Sequence, residues 1–136
     1  MQKTVLLIDD DFFARKVVVF SLSREGYTIC EVKDGASGLQ NAFGGKFDLI
    51  ITDLSMPHLD GWQLLTELKK HPATKKVPVI VISGSQEKEP LPNELRAGVK
   101  KFLLKPYSPS VLVSAVREII GDASSSMVVR SLPKVG

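Results

Sequence analysis

The chain has 136 residues, a net charge of +3 and a single cysteine, Cys30; this is enough for one domain with a sizeable core, and it excludes a fold stapled by internal disulfides. Its apolar runs, such as Val77 to Ile82, are broken by proline and too short to span a bilayer, and its basic residues are scattered rather than gathered into a stripe, which argues against direct nucleic-acid or membrane binding. With no secretory leader in view, a reducing, cytoplasmic setting is expected, with Cys30 as a buried, inert thiol.

Thr4 to Ile8 is a short apolar run that stops at Asp9-Asp10-Asp11, the pattern of a buried strand emptying into an acidic loop. A helix is expected from Phe12 to Glu25, with Ala14, Val17, Val18, Ser21 and Leu22 inward and Gly26 closing its C-terminus. Tyr27 to Val32 reads as a second strand and Asp34-Gly35 as a turn. A short helix over Ala36 to Ala42, with Leu39 and Ala42 inward, stops at Gly44-Gly45.

The third strand, Asp48 to Thr52, delivers Asp53 to its end, and Met56-Pro57 then stops the backbone from continuing. Asp60 reads as the N-cap of a helix whose core stripe is Leu64, Leu65 and Leu68, and Lys69-Lys70 suits the negative end of its dipole. Pro78 to Ile82 is a fourth, wholly apolar strand ending at Ser83-Gly84. Pro90 and Pro92 cannot both sit inside a helix, so the next helix is expected to be short, about Pro92 to Ala97. Lys101 to Leu104 is the fifth strand, ending at Lys105-Pro106. Ser108 caps the last helix, with Pro109 in its first turn and Leu112, Ala115, Val116 and Ile119 inward.

Five strand–helix alternations with short connections imply an α/β fold: a doubly wound, five-stranded parallel sheet covered by five helices through right-handed crossovers. The expected division is one domain over residues 1–120 and a C-terminal tail or linker stub over 121–136, which shows no clear period. No Gly-x-Gly-x-x-Gly follows the first strand, and a Gly-x-x-x-x-Gly-Lys-Ser/Thr loop is missing, so nucleotide binding is not expected.

In a parallel sheet the strand ends share one edge, so Asp9, Asp10, Asp11, Asp53, Ser83 and Lys105 should converge there. Clustered carboxylates repel one another and need a cation or a proton among them. With only oxygen ligands available, a hard ion such as Mg²⁺ is the one that suits. A lysine and a hydroxyl beside such an ion are what handling a phosphoryl group requires, with one carboxylate as its acceptor.

These motifs, Leu6-Leu7-Ile8-Asp9-Asp10-Asp11, Asp48 through Asp53 to Met56-Pro57 and Asp60-Gly61, Val81-Ile82-Ser83-Gly84 and Lys105-Pro106-Tyr107, resemble those of the receiver domain of two-component response regulators, the chemotaxis regulator included, over about Lys3 to Ile120. The resemblance implies a flavodoxin-like sheet of strand order 2-1-3-4-5. It further implies that Asp53 accepts a phosphoryl group from a histidine kinase or phosphotransfer protein, and that Asp10, Asp53 and the backbone carbonyl of Ser55 bind Mg²⁺, with Asp9 acting mainly through water. Lys105 would pair with the phosphoryl oxygens, the Ser83 hydroxyl would move in to hydrogen-bond one of them, and Phe102 would be the switch aromatic. Lys105-Pro106 is commonly a cis peptide in this family. Such a domain is catalytic only towards its own phosphorylation and hydrolysis, and it switches a surface that binds an output partner or a second copy.

Two features depart from that pattern. Pro90 and Pro92 shorten the fourth helix, part of a surface that many family members use to dimerise or reach an effector. Phe13 and Phe20, seven residues apart on the first helix, lie beside the core stripe, which leaves two readings: a partly exposed apolar patch that binds a partner, or two rings covered at the margin of the core. Two rivals are a haloacid-dehalogenase-like phosphatase using Asp9 and Asp11, which needs an acidic pair after the lysine where only Glu118 and Asp122 stand, and a constitutive receiver-like binding module.

Overall fold

In the computed structural model, residues 2–54, 61–84 and 98–123 are described. The elements alternate as β1 (Thr4–Ile8), α1 (Phe12–Ser23), β2 (Thr28–Val32), α2 (Gly35–Gly44), β3 (Leu49–Asp53), α3 (Gly61–Lys70), β4 (Val79–Ser83), β5 (Val99–Leu104) and α4 (Pro109–Ile120). All strand pairs are parallel, as the alternation implies, and their order is β2-β1-β3-β4-β5, as the resemblance implies. The short fourth helix expected near Pro92 and the cap at Asp60 lie outside the described residues, as do residues 124–136.

Alternation along the strands divides the core in two. Val5, Leu7, Leu49, Ile51, Ile80 and Ile82 point to one face, where Val18 and Leu22 of α1 and Leu112, Ala115 and Val116 of α4 cover them. Leu6, Ile8, Ile50, Val79 and Val81 point to the other, against Ala42 of α2 and Leu64, Leu65 and Leu68 of α3. Because β1, β3 and β4 are buried on both faces, they read in sequence as unbroken apolar runs. Gly38 lets α2 approach closely: a Cβ there would stand 2.6 Å from Ile8 Cδ1. The residue before Asp9 is thereby packed in place.

Helix α1 differs from its expected form in two respects. Its regular turns end at Ser23, and the chain leaves through Gly26 at φ +100°, with Gly26 N–H donating to Ser23 O at 2.9 Å and Tyr27 N–H to Leu22 O at 3.2 Å. This is a Schellman closure with glycine at the left-handed position. Val17, expected inward, is exposed, because the sheet takes up only the stripe of Val18, Ser21 and Leu22. Cys30, expected to be buried, is only half-buried on edge strand β2, its Sγ 3.8 Å from Asn41 Oδ1. An edge strand has a neighbour on one side only.

Residues 121–123 pack against the end of the sheet opposite to the carboxyl ends of its strands. Ala123 is buried in the α1/α4 core, and its carbonyl accepts the Lys3 N–H at 2.7 Å. The Tyr27 hydroxyl donates to Gly121 O at 2.6 Å, and Lys3 Nζ donates to Ile120 O at 2.8 Å. Asp48, expected as the first residue of the third strand, instead precedes β3 and accepts the Thr4 N–H at 2.8 Å.

Candidate functional site

The three acids after β1 take three different positions. Asp11 is the N-cap of α1, its Oδ1 accepting from Phe13 N–H at 3.0 Å and Ala14 N–H at 3.4 Å, which satisfies donors left over at the helix start. Asp10 is exposed. Asp9 is only 2% exposed, with its Oδ1 accepting the Asp11 N–H at 2.9 Å. Its backbone carbonyl accepts from Arg15 Nη1 at 2.7 Å, and Arg15 in turn donates from Nε to Glu31 at 3.1 Å.

Asp53 ends β3 at 5% exposure, paired in register with Ile82. Ser83, buried, ends β4 beside Leu104 of β5, and its carbonyl accepts the Lys105 N–H at 2.8 Å. That bond anchors Lys105 directly after β5, where the Lys105-Pro106 peptide is cis. Lys105 Nζ stands 3.2 Å from Asp53 Oδ2 and 3.6 Å from Asp9 Oδ2.

Carboxylate oxygens of Asp9, Asp10 and Asp53 lie within 4.8 Å of one another, the one such acidic cluster among the described residues. Burial pushes the Asp9 carboxyl above its ordinary value, against the pull of the Asp11 amide and Lys105. Burial works against the charge on Lys105, yet Asp9 and Asp53 outweigh it and hold the ammonium above its ordinary value. Tyr107, packed against the α1/α4 core, is raised by its own burial. Among the described residues one cation thus faces three acids, so they carry excess negative charge in a partly dry place. A hard cation with oxygen ligands relieves it, and an anionic group brought with that cation meets an ammonium already in position.

The response regulator receiver domain family matches residues 5–117. The chain belongs to that family. Among curated relatives, the receiver is 28% identical over 133 residues to the transcriptional regulatory protein SrrA of Staphylococcus aureus, an alignment covering 98% of this chain and 54% of SrrA. The chain therefore spans about half the length of the curated relatives it matches. Among solved structures, it is similar to chemotaxis protein CheY4 of Vibrio cholerae, with a TM-score of 0.78 at 25% identity over 88% of this chain and 99% of that one. It is similar as well to the receiver domain of sensor histidine kinase PA1611 from Pseudomonas aeruginosa, with a TM-score of 0.79 at 26% identity over 90% and 100% of the two chains. That structure has a magnesium ion coordinated in its active-site cleft.

Of the residues singled out from sequence, Asp9, Asp10, Asp53, Ser83 and Lys105 share the carboxyl edge of this receiver's sheet. Asp11 serves as a helix cap, and Ser55 lies outside the described residues. Phe102 sits on edge strand β5 at 40% exposure. Glu118 and Asp122 pair with Lys101 at 4.0 Å and Arg117 at 2.9 Å, away from the acidic edge, so neither supplies the extra acid that a dehalogenase-like phosphatase needs. Arg15 was not legible as a site residue. Its grip on the Asp9 carbonyl depends on how α1 leans over β1, and a lone arginine one turn into a helix carries no such signal.

Proposed function

We propose that Asp53 is the phosphoacceptor of this receiver, taking a phosphoryl group from a phosphohistidine of a histidine kinase or phosphotransfer protein. The observation that carries the reading is the position of Lys105 Nζ, 3.2 Å from Asp53 and 3.6 Å from Asp9, with Asp10 in the same cluster. A carboxylate oxygen of Asp53 attacks phosphorus, the phosphorus–nitrogen bond breaks, and the imidazole nitrogen leaves with the bonding pair. The product is an acyl phosphate on Asp53.

The donor set fits Mg²⁺, the ion that the Pseudomonas receiver holds: three carboxylates within 4.8 Å, and oxygen as the only ligand type. Asp10, Asp53 and the backbone carbonyl of Ser55 would hold it, with Asp9 contributing mainly through water. When bound, the ion neutralises the acids and orients the phosphoryl oxygens. Lys105 then exchanges its carboxylate partner for a phosphoryl oxygen, and the Ser83 hydroxyl hydrogen-bonds another. Phe102 changes rotamer as Ser83 moves, and only its packing can report the change, since phenylalanine has no hydroxyl. Residues 1–120 form the switching unit, and residues 121–136 are a tail whose first three residues dock on it. The partner that reads the switched surface belongs to the output side of the pathway.

Incubation with Mg²⁺ and acetyl phosphate should add one phosphoryl group by intact-mass spectrometry, and beryllofluoride should shift the amide spectrum around Ser83 and Phe102. Asp53→Asn should do neither. A wild-type protein that acquires no phosphoryl group under these conditions defeats the reading.

A further inference from the structure

Helix α1 carries two apolar stripes. Val18, Ser21 and Leu22 face the core, while Phe13, Val17 and Phe20 stand on the solvent side at 76%, 46% and 66% exposure. Phe13, Val17, Phe20 and Arg24 follow one another at intervals of four, three and four residues, the a/d spacing of a helix–helix seam. One exposed aromatic needs no explanation, but three apolar residues in register over two turns do.

We propose that this seam binds a second copy of the chain, α1 against α1, in an antiparallel, two-fold symmetric homodimer. The ends of the seam are complementary to each other. At its C-terminal end, Arg24 holds its guanidinium 5.4 Å from the Phe20 ring centroid and stays exposed. At its N-terminal end stand exposed Phe13 and Asp11, the exposed acid that caps the helix. Antiparallel pairing sets Val17 opposite Phe20 and brings the Arg24 guanidinium of each copy to the other's Phe13 ring and acidic cap, a cation–π and charge match made twice by the symmetry. The two helix dipoles then also oppose. Parallel pairing would instead set Arg24 against Arg24. Shape agrees with charge. A groove of about 390 Å³, lined by Phe20, Arg24, Pro109, Val113 and the Arg117–Glu25 ion pair, opens between α1 and α4 beside the C-terminal half of the seam, where the antiparallel partner presents Phe13.

The test uses the full chain without Mg²⁺ or phosphodonor, so it does not depend on the phosphorylation reading. Sedimentation equilibrium should give a concentration-dependent dimer with a Kd on the order of tens of micromolar, as a small single-helix interface implies. Phe13→Asp and Arg24→Glu should each weaken it at least tenfold while leaving the circular dichroism spectrum and melting temperature unchanged, since both side chains are exposed. Spin labels at position 17 of one copy and 20 of the other should lie closer than two labels at 24. A chain that stays monomeric at millimolar concentration overturns the proposal, whether the tail or another protein's helix covers the face. A dimer indifferent to both substitutions, or one that brings the two 24 positions together, overturns it as well.

Discussion

The two ends of this sheet are built from the same strands and resolve their polar groups in opposite ways. At the end away from the acids, Tyr27 donates to the Gly121 carbonyl, Lys3 to Ile120 and Ala123, and Arg117 bridges Glu25 at 3.0 Å and Asp122 at 2.9 Å. Donors there meet acceptors, and buried Ala123 closes the core. At the carboxyl end, Asp9 and Asp53 are buried with Asp10 beside them and one lysine between. That end holds like charges together at a cost in stability, which is the usual signature of a site shaped for a ligand rather than for folding. Substitutions at the two ends should therefore move stability and chemistry in different combinations.

The largest effect is expected at Lys105. Lys105→Met removes the ammonium that pairs with Asp9 and Asp53, so urea unfolding in EDTA should show a loss of about 2 kcal/mol. Acetyl-phosphate-driven phosphorylation should slow by roughly a hundredfold or more, the usual consequence of removing one stabilising charge from a transition state. Added Mg²⁺ should restore more stability to the variant than to the wild type, since it replaces the missing cation. Equal gains in both would mean that the lysine does not neutralise the cluster. At the opposite end, Gly26→Ala forces a Cβ onto φ +100° and to within 3.1 Å of Ala123 Cβ. It should cost roughly 2 kcal/mol and leave the phosphorylation rate unchanged. Asp9→Asn should invert that pattern. Removing a buried like charge raises stability in EDTA by roughly 1 kcal/mol, while Mg²⁺ affinity, followed by titration calorimetry, should fall severalfold. If both substitutions shift stability the same way, the contrast between the ends fails.

Much of this contrast could be read from sequence because strands buried on both faces leave an unmistakable trace. The runs Val5 to Ile8 and Leu49 to Thr52 can end in aspartate only where the chain leaves the sheet, and parallel topology brings those ends together. What escaped depended on how the elements pack rather than on local pattern. Asp53 itself lies within β3, because its backbone continues in register with Ile82 of β4. Val17 shares a helical repeat with the core stripe, and only the lean of α1 against the sheet turns it outward. Ala123 sits in a stretch without periodicity, and its burial comes from Lys3 and Gly26, more than ninety residues away in sequence. Arg15 reaches the Asp9 carbonyl across a loop whose path no local pattern encodes.

The smallest of these effects isolates one hydrogen bond at the quiet end. Tyr27 is 4% exposed, its hydroxyl donates to Gly121 O at 2.6 Å, and burial raises it above the ordinary tyrosine value, with Arg117 pulling it partly back. Tyr27→Phe keeps the ring and removes the donor, leaving a carbonyl short of one partner, so it should cost about 1 kcal/mol at neutral pH. The pH dependence follows from the direction of the shift. The neutral phenol is favoured in the folded state, so its contribution is complete below the ordinary value of 10.0 and is lost as pH rises through the higher folded value. Wild-type stability should therefore fall more steeply than that of Tyr27→Phe above pH 10.0, and the two curves should converge there. Parallel curves would mean that the hydroxyl is not held by Gly121. Below that range, both proteins should bind beryllofluoride equally, because Tyr27 and Gly121 lie at the end of the sheet opposite to Asp53.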